Sequence, residues 1–113
     1  MHELGMIQSV IDTVVTQAHE HGVEKITFIK LLVGKLTGAN AKALEFGFDA
    51  LKIKTKLAEA ELEIIEIEPV FTCNSCGRVF SSDGWSFCCE KCGSHSLKVI
   101  KGEELLLDSF EGI

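Results

Sequence analysis

Four cysteines in two identical spacings are the first feature of this chain that points to chemistry. Cys73 and Cys76 form one Cys-x-x-Cys-Gly unit, and Cys89 and Cys92 form a second one after twelve intervening residues. Each Cys-x-x-Cys turn lets two thiolates reach one ion from the same side, and the glycine that follows relieves crowding in the turn. Two such turns supply four sulfur ligands. The spacing therefore predicts a closed tetrahedral site, in which zinc would stabilise structure and not do chemistry.

A fifth thiol, Cys88, lies directly before Cys89 and bears on the register of the second unit. A pair formed by Cys88 and Cys92 would be separated by three residues, which is less common in a unit with a trailing glycine. We therefore interpret Cys89 as the ligand and Cys88 as a free thiol. His95 is either an alternative zinc ligand or a residue that contacts the ligands. Two disulfides are the alternative to a metal, but the N-terminus does not read as a secretory leader, which favours a reduced, cytoplasmic protein.

A second group of potential ligands lies at the N-terminus, where the chain begins Met1-His2-Glu3. The α-amine of Met1, the amide nitrogen of His2 and Nδ1 of its imidazole can bind one ion in fused five- and six-membered rings. This planar, nitrogen-rich set suits Ni(II) or Cu(II), with Glu3, His95 or water in the fourth position. A histidine at position 2 is more often an ordinary surface residue at a frayed end, so the pattern alone leaves both interpretations open.

Hydrophobic periodicity predicts the elements that must position the N-terminal group. Apolar residues at helical spacing predict a first helix over residues 3–21, which Gly22 ends. Residues 24–33 are rich in β-branched and apolar side chains and predict a strand. Asn40 is suited to cap a second amphipathic helix, because its side chain can accept a hydrogen bond from the first turn.

The second half of the chain predicts strands on both sides of the cysteines. Residues 61–68 alternate between glutamate and apolar side chains, as in a strand with one wet face, and Pro69 ends it. Short hairpins are expected among the cysteines, and residues 104–110 predict a last apolar strand. That strand has nowhere to be buried within the cysteine segment, so we expect it to return to the first sheet.

The predicted fold class is therefore α+β. Two helices pack on a small mixed three-stranded sheet, and a zinc-ribbon-like module with four cysteine ligands is inserted between two of its strands. We expect one α/β domain, formed by residues 1–69 plus 102–113, and one zinc-binding domain, formed by residues 70–101.

Charge and composition exclude several classes of function. The 113 residues carry a net charge of −6, whereas nucleic-acid-binding proteins present a basic footprint. No apolar run is as long as a membrane span. The sequence contains neither a nucleophile–base–orienter set nor a phosphate-binding glycine loop, so we do not expect an enzyme.

Taken together, these features resemble the hydrogenase maturation nickel metallochaperone family, of the HypA or HybF type. The resemblance covers essentially the whole chain. It rests on the Met1-His2-Glu3 start of an amphipathic helix, the stretch 33–36, the strand 62–68, the paired cysteine units and the final apolar strand.

The resemblance implies an α/β domain that holds nickel at its N-terminus and a separate structural zinc domain. The residues carried over are Met1, His2 and Glu3 for nickel, and Cys73, Cys76, Cys89 and Cys92 for zinc. It also implies that nickel passes to the large-subunit precursor of a [NiFe]-hydrogenase, with a maturation GTPase as companion. The resemblance further implies that urease maturation factors receive nickel in some organisms. Neither nucleic acid nor a membrane span is expected.

Two positions depart from the family pattern. Some members have an acidic residue near position 40, where this chain has Asn40. Members commonly have proline after the third cysteine ligand, where this chain has Glu90. The first departure removes a potential carboxylate ligand, and the second bears on the register of the second cysteine unit.

Two alternative functions are compatible with the cysteines. The chain could be a zinc-ribbon module that binds protein or nucleic acid without delivering nickel. It could also be a rubredoxin-like redox protein, because four thiolates bind iron as well as zinc.

Overall fold

The computed structural model describes residues 2–81 and 87–113. Its elements are, in chain order, α1 (His2–Glu20), β1 (Ile26–Gly34), a 3₁₀ helix (Lys35–Thr37), α2 (Ala41–Leu51), β2 (Glu61–Ile67), β3 (Val70–Cys73), β4 (Val79–Ser81), β5 (Leu97–Lys101) and β6 (Leu105–Gly112). The strands form two three-stranded sheets, ordered β2-β1-β6 and β4-β3-β5. The predicted α+β class is confirmed. Within the described ranges, no helix has the length and hydrophobicity needed to cross a membrane.

The chain divides into two compact units. The first, which we call the helical unit, runs to Leu31 and also contains Ala39–Ile65 and Leu106–Ile113. The second, which we call the cysteine unit, consists of Leu32–Gly38 and Glu66–Leu105.

Two amphipathic helices form the core of the helical unit. The residues of α1 that are buried recur every three or four positions, as one helix face requires; they are Ile7, Val10, Ile11, Val14 and Ala18. Gly47 lets α2 approach this face closely, because a Cβ atom there would lie 3.0 Å from Cδ2 of Leu4 and 3.3 Å from Cγ2 of Ile7. The start of α1, which carries His2, is therefore packed against α2.

The strands β1 and β2 run parallel. Lys25 forms an ion pair with Glu59, and Lys30 Nζ lies 3.8 Å from a carboxylate oxygen of Glu63. The residue numbers on the two strands thus rise together. Adjacent parallel strands need a long crossover connection, which α2 provides here.

The last strand, β6, lies antiparallel to β1 on its other side. Lys25 and Ile113 exchange backbone N–H···O hydrogen bonds of 3.1 and 2.9 Å. Thr27 Oγ1 donates to the backbone oxygen of Glu111 at 3.2 Å, so the residue numbers fall on one strand as they rise on the other. The expected return of the last strand to the first sheet is confirmed, and the sheet is mixed.

The cysteine unit contains a strand that the sequence did not predict. The prediction that Pro69 ends the strand of residues 61–68 is confirmed, since β2 ends at Ile67. A separate strand, β3, begins directly after Pro69 and lies between β4 and β5. Its Phe71 is buried and pairs with Phe80 across the strands. The Phe71 ring lies 5.7 Å from that of Phe80 and 6.0 Å from that of Phe87, measured between centroids. This aromatic cluster gives the short strands an apolar centre.

Candidate metal centres

The two cysteine turns bring four thiols to one point. The Sγ atoms of Cys73, Cys76, Cys89 and Cys92 all lie within 4.8 Å of one another. The Cys73–Cys92 and Cys76–Cys89 sulfur atoms are each 3.6 Å apart. Sulfurs at tetrahedral corners about 2.3 Å from a zinc ion would be about 3.8 Å apart. The donor set therefore fits a four-coordinate thiolate-bound metal such as zinc.

The first turn owes its shape to two backbone hydrogen bonds and a glycine. The N–H of Gly77 donates to the carbonyl of Cys73, and the N–H of Cys73 donates to the carbonyl of Arg78, both at 2.8 Å. Gly77 has φ +78°, a conformation that residues with a Cβ atom rarely adopt. The glycine that follows the cysteines is thus required by the turn itself.

The second turn repeats this pattern. The N–H of Gly93 donates to the carbonyl of Cys89 at 2.7 Å, and the N–H of Cys89 donates to the carbonyl of Ser94 at 2.8 Å. Gly93 has φ +74°. Cys89 is therefore the counterpart of Cys73. Cys88 is half-buried and is not part of the four-thiol group.

Backbone N–H groups within the turns favour the thiolate form of two cysteines. The N–H groups of Cys76 and Ser75 lower the pKa of Cys73 to about 6, although burial opposes this. The N–H groups of Cys92 and Lys91 likewise lower the pKa of Cys89. Thiolates are the form that binds metal, so the two turns are prepared for a cation before it arrives.

The pKa of Cys92 shifts in the opposite direction. The N–H of Ser94 favours the thiolate of Cys92, but hydrogen bonding with Cys73, burial, and the thiols of Cys89 and Cys76 together raise its pKa to about 11. A bound divalent cation would favour loss of this proton, because a thiol that coordinates a metal is deprotonated.

Polar side chains tie the two turns together beside the sulfur atoms. The hydroxyl oxygens of Ser75 and Ser94 lie 2.9 Å apart. The backbone N–H of Asn74 donates to the carbonyl of Ser96 at 2.9 Å, and its side-chain Nδ2 donates to the hydroxyl of Ser96 at 3.2 Å. His95 lies outside the four-thiol group, with Nδ1 3.1 Å from the backbone oxygen of Phe87.

The N-terminal group begins at the first turn of α1. The side chain of His2 is 56% exposed, and its Nε2 lies 3.8 Å from a carboxylate oxygen of Glu3. His2 is the first residue of the helix, where backbone N–H groups have no partner within the helix. Met1, the third residue of the predicted nickel group, lies outside the described residues.

Glu3 is held by the start of α2. Its Oε2 accepts a hydrogen bond of 3.3 Å from the backbone N–H of Asn40, and its side chain is only 17% exposed. Its own backbone N–H and that of Asn40 lower the pKa of the Glu3 carboxyl. The predicted cap of α2 is confirmed, since Asn40 Oδ1 accepts a hydrogen bond of 3.0 Å from the N–H of Ala43. The contact between Asn40 and Glu3 was not predicted, because its donor is a backbone N–H, which nearly every residue has.

Comparison with known proteins identifies the family of this chain. A family model described as "Hydrogenase/urease nickel incorporation, metallochaperone, hypA" matches residues 1–112. The chain belongs to the HypA family. Its members are metallochaperones for nickel incorporation, so this protein is a nickel metallochaperone of hydrogenase maturation and not an enzyme. The alternative of a zinc-ribbon module without nickel delivery is not favoured.

Relatives and solved structures match over nearly the full length. Hydrogenase maturation factor HypA of Pelodictyon phaeoclathratiforme is 39% identical over 109 residues, which are 96% of this chain and 93% of that protein. The protein of the same name from Chlorobaculum tepidum is 39% identical over 110 residues, 97% of each chain. The solution structure of the Ni metallochaperone HypA from Helicobacter pylori has a TM-score of 0.73 at 22% identity, and the match covers 98% of this chain and 97% of that one. This last likeness concerns the fold alone.

Proposed function

We propose that this protein binds one Ni(II) ion through Met1, His2 and Glu3 and delivers it to the large-subunit precursor of a [NiFe]-hydrogenase. The observation that carries the proposal is the position of His2 as the first residue of α1, with an exposed imidazole. The amide nitrogen and Nδ1 of His2, with the amine of Met1, would occupy three positions of a planar site. Glu3 would contribute through its backbone or its carboxylate.

The position of His2 at the start of α1 favours binding of Ni(II) by its amide nitrogen. An amide nitrogen binds Ni(II) only after it loses its proton, and inside a helix that proton is part of a hydrogen bond. At the first residue of a helix the N–H has no carbonyl partner four residues earlier. Nickel could therefore bind the amide of His2 without breaking a backbone hydrogen bond of α1.

We also propose that Cys73, Cys76, Cys89 and Cys92 hold a structural Zn(II). In this view residues 70–101 form the zinc domain, and residues 1–69 plus 102–113 form the nickel domain. Four protein ligands leave no open coordination position, so zinc would stabilise structure and would not take part in transfer. The fit of the sulfur spacing to a tetrahedron supports this assignment.

Delivery requires partners, and we propose a hydrogenase maturation GTPase as the companion that acts with this protein. Urease maturation factors would be further recipients in organisms that contain them. We propose the cytoplasm as the site of action, because five cysteines with no disulfide among them suit a reducing compartment.

Metal analysis of the purified protein before and after nickel addition tests the proposal. The unaltered protein should contain one zinc ion and then gain one nickel ion. His2→Ala should keep the zinc and lose the nickel, whereas His19→Ala, at the other end of α1, should keep both. A His2→Ala protein that binds nickel as tightly as the unaltered protein would contradict the proposed site.

A further inference from the structure

The sheet of the cysteine unit, β4-β3-β5, has one face toward its aromatic cluster and one face away from it. Cross-strand partners lie on the same face of a sheet, and Phe71 is paired with Phe80. Successive residues of a strand alternate between the two faces. The next row, in which Thr72 pairs with Val79 and Lys98, therefore lies on the opposite face. We call this opposite face the outer face.

An irregularity in β5 adds one more residue to the outer face. Val99 pairs with Phe71 and Lys101 pairs with Val70, so Ile100 is an extra residue between two consecutive partners of β3. Ile100 follows Val99, which faces the aromatic cluster, and Lys101 lies opposite Val70, which faces away from it. The side chains of Ile100 and Lys101 therefore both lie on the outer face, and both residues are exposed.

The outer face combines apolar side chains with positive charge. Val79 is 62% exposed and Ile100 is 51% exposed, although both are apolar. The charged residues of the three strands are Lys98 and Lys101, and both are exposed. Among the described residues, neither lysine has an ion-pair partner. A positive face on a chain with a net charge of −6 indicates a complementary, acidic ligand.

This composition favours a protein ligand over a nucleic acid. Surfaces that bind single-stranded nucleic acid combine many cations with aromatic side chains on which the bases stack. The two aromatic residues of the sheet, Phe71 and Phe80, lie on the other face, and the three strands supply two cations. Exposed aliphatic side chains such as Ile100 contribute instead to contacts with apolar side chains of another protein.

The position of β5 in the sheet shows how a protein segment could be added. β5 is an outer strand, so the N–H and C=O groups of alternate residues point away from β3. Lysines on an outer strand commonly prevent unwanted pairing with another strand. Lys98 and Lys101 would repel a basic strand, including β5 of a second copy, but they would attract a strand that carries carboxylates.

We propose that the outer face and the free edge of β5 bind an extended, acidic segment of a partner protein, which adds a strand beside β5. Carboxylates of the segment would lie opposite Lys98 and Lys101, and an apolar side chain between them would cover Ile100. Backbone hydrogen bonds would supply affinity, and the charge pairs would select the partner. This inference goes beyond the proposed function and does not depend on the nickel site.

Two synthetic peptides test the choice of partner. One alternates glutamate with valine, and the other has lysine in place of each glutamate. Fluorescence anisotropy with the full, zinc-containing chain should show binding of the glutamate peptide alone, and added salt should weaken it because salt screens exposed charges. Lys98→Glu combined with Lys101→Glu should reverse the preference: the lysine peptide should bind, and affinity for the glutamate peptide should fall about tenfold or more.

Matched variants of the helical unit serve as controls. Lys42→Glu combined with Lys54→Glu makes the same change in net charge at two exposed lysines, and it should leave affinity for the glutamate peptide within about twofold. Ile100→Ser should weaken binding about fivefold, because it removes the apolar contact. Ile53→Ser, at another exposed isoleucine, should not weaken it.

The proposal is overturned if the unaltered protein binds both peptides equally or binds neither, a comparison that requires no variant to fold. It is also overturned if the glutamate substitutions at Lys98 and Lys101 leave affinity for the glutamate peptide unchanged. Binding of a single-stranded oligonucleotide through these lysines, without binding of the peptide, would assign the face to nucleic acid instead. Self-association that depends on the same lysines, measured by sedimentation, would assign it to a second copy of this chain. Zinc content and far-UV circular dichroism identify the variants that have folded.

Discussion

Cys73 and Cys92 are 19 positions apart in the chain, and their sulfur atoms lie 3.6 Å apart. Cys76 and Cys89 repeat this relationship with the same sulfur–sulfur distance. Each of these close pairs joins one turn to the other. One cation bound among the four thiols would consequently link the two turns across the cysteine unit.

Removal of zinc should unfold residues 70–101 and leave α1 and α2 folded. Residues 70–101 contain few buried side chains among those that the structure describes, and structural zinc contributes on the order of 10 kcal/mol in small isolated modules. Chelation or Cys73→Ala should therefore move the amide signals of residues 70–101 to unfolded-chain positions in two-dimensional NMR, while those of α1 and α2 stay in place. Survival of the 70–101 signals after complete zinc removal would mean that the aromatic cluster is sufficient to hold the segment.

Cys88 and Cys89 should respond differently to the same substitution. Cys89→Ser removes a buried thiol whose turn matches that of Cys73, so the protein should lose its zinc. Cys88→Ser should retain one zinc ion per chain, because Cys88 lies outside the four-thiol group. Elemental analysis of the two purified variants makes the comparison. The reverse pattern would assign the ligand to Cys88.

Local sequence signals predicted those features that local geometry decides. The spacing of apolar residues predicted α1, and the cap at Asn40 was evident because side-chain capping needs only a neighbouring turn. The two Cys-x-x-Cys-Gly turns were equally readable, since their hydrogen bonds lie within six residues.

Pairings between distant segments could not be predicted in the same way. β3 was missed because Pro69 precedes it, and its strand character depends on pairing with β4 and β5. The parallel pairing of β1 with β2 depends on where α2 returns the chain, so the ion pair of Lys25 with Glu59 carried no sequence signal. The hydrogen bond from Asn40 to Glu3 could not be predicted because its donor is a backbone N–H.

Gly34→Ala should destabilise the protein for a purely steric reason. The φ of −71° at Gly34 suits any residue, but a Cβ atom there would collide with the backbone carbonyl of Gly102. The N–H of Leu36 donates to that same carbonyl at 2.8 Å, so the carbonyl cannot move without loss of a hydrogen bond. We expect a loss of about 1–3 kcal/mol in the free energy of unfolding, as for other overpacked sites.

Gly5→Ala provides the control for this substitution. A Cβ atom at Gly5, within α1, would meet no atom within 4 Å. Alanine at this helical position should therefore stabilise the protein, by roughly 0.5–1 kcal/mol. Urea denaturation of the two variants should give changes of opposite sign. An equal change in the free energy of unfolding of both variants would show that the contact with Gly102 does not destabilise Gly34→Ala.

The ion pair between Lys25 and Glu59 should be detectable as a lowered pKa of the Glu59 carboxyl. A hydrogen bond from Lys25, and then its charge, lower the pKa of the Glu59 carboxyl below the usual 4.5. Because the folded-state pKa is lowered, the pair stabilises the folded protein above pH 4.5, and this stabilisation is lost as the pH falls through the folded-state value. Lys25→Gln should return the Glu59 pKa toward 4.5, measured from the carboxyl carbon by NMR. Lys30→Gln, which removes the same charge from the neighbouring pair with Glu63, should change it much less.

Addition of one residue before Met1 should abolish tight nickel binding while His2 stays in place. The extension moves the free amine out of the chelate, and it converts the Met1 nitrogen into an ordinary amide. Nickel affinity, measured by competition with a chelator, should fall about as far as in His2→Ala, and zinc content should not change. Nickel binding to the unaltered protein should release protons, because the amide of His2 must lose its hydrogen, so affinity should fall as the pH drops. Calorimetry in two buffers of different ionisation enthalpy counts these protons. If the extended protein binds nickel with the same affinity, proton release and absorption spectrum, the amine of Met1 is not a ligand.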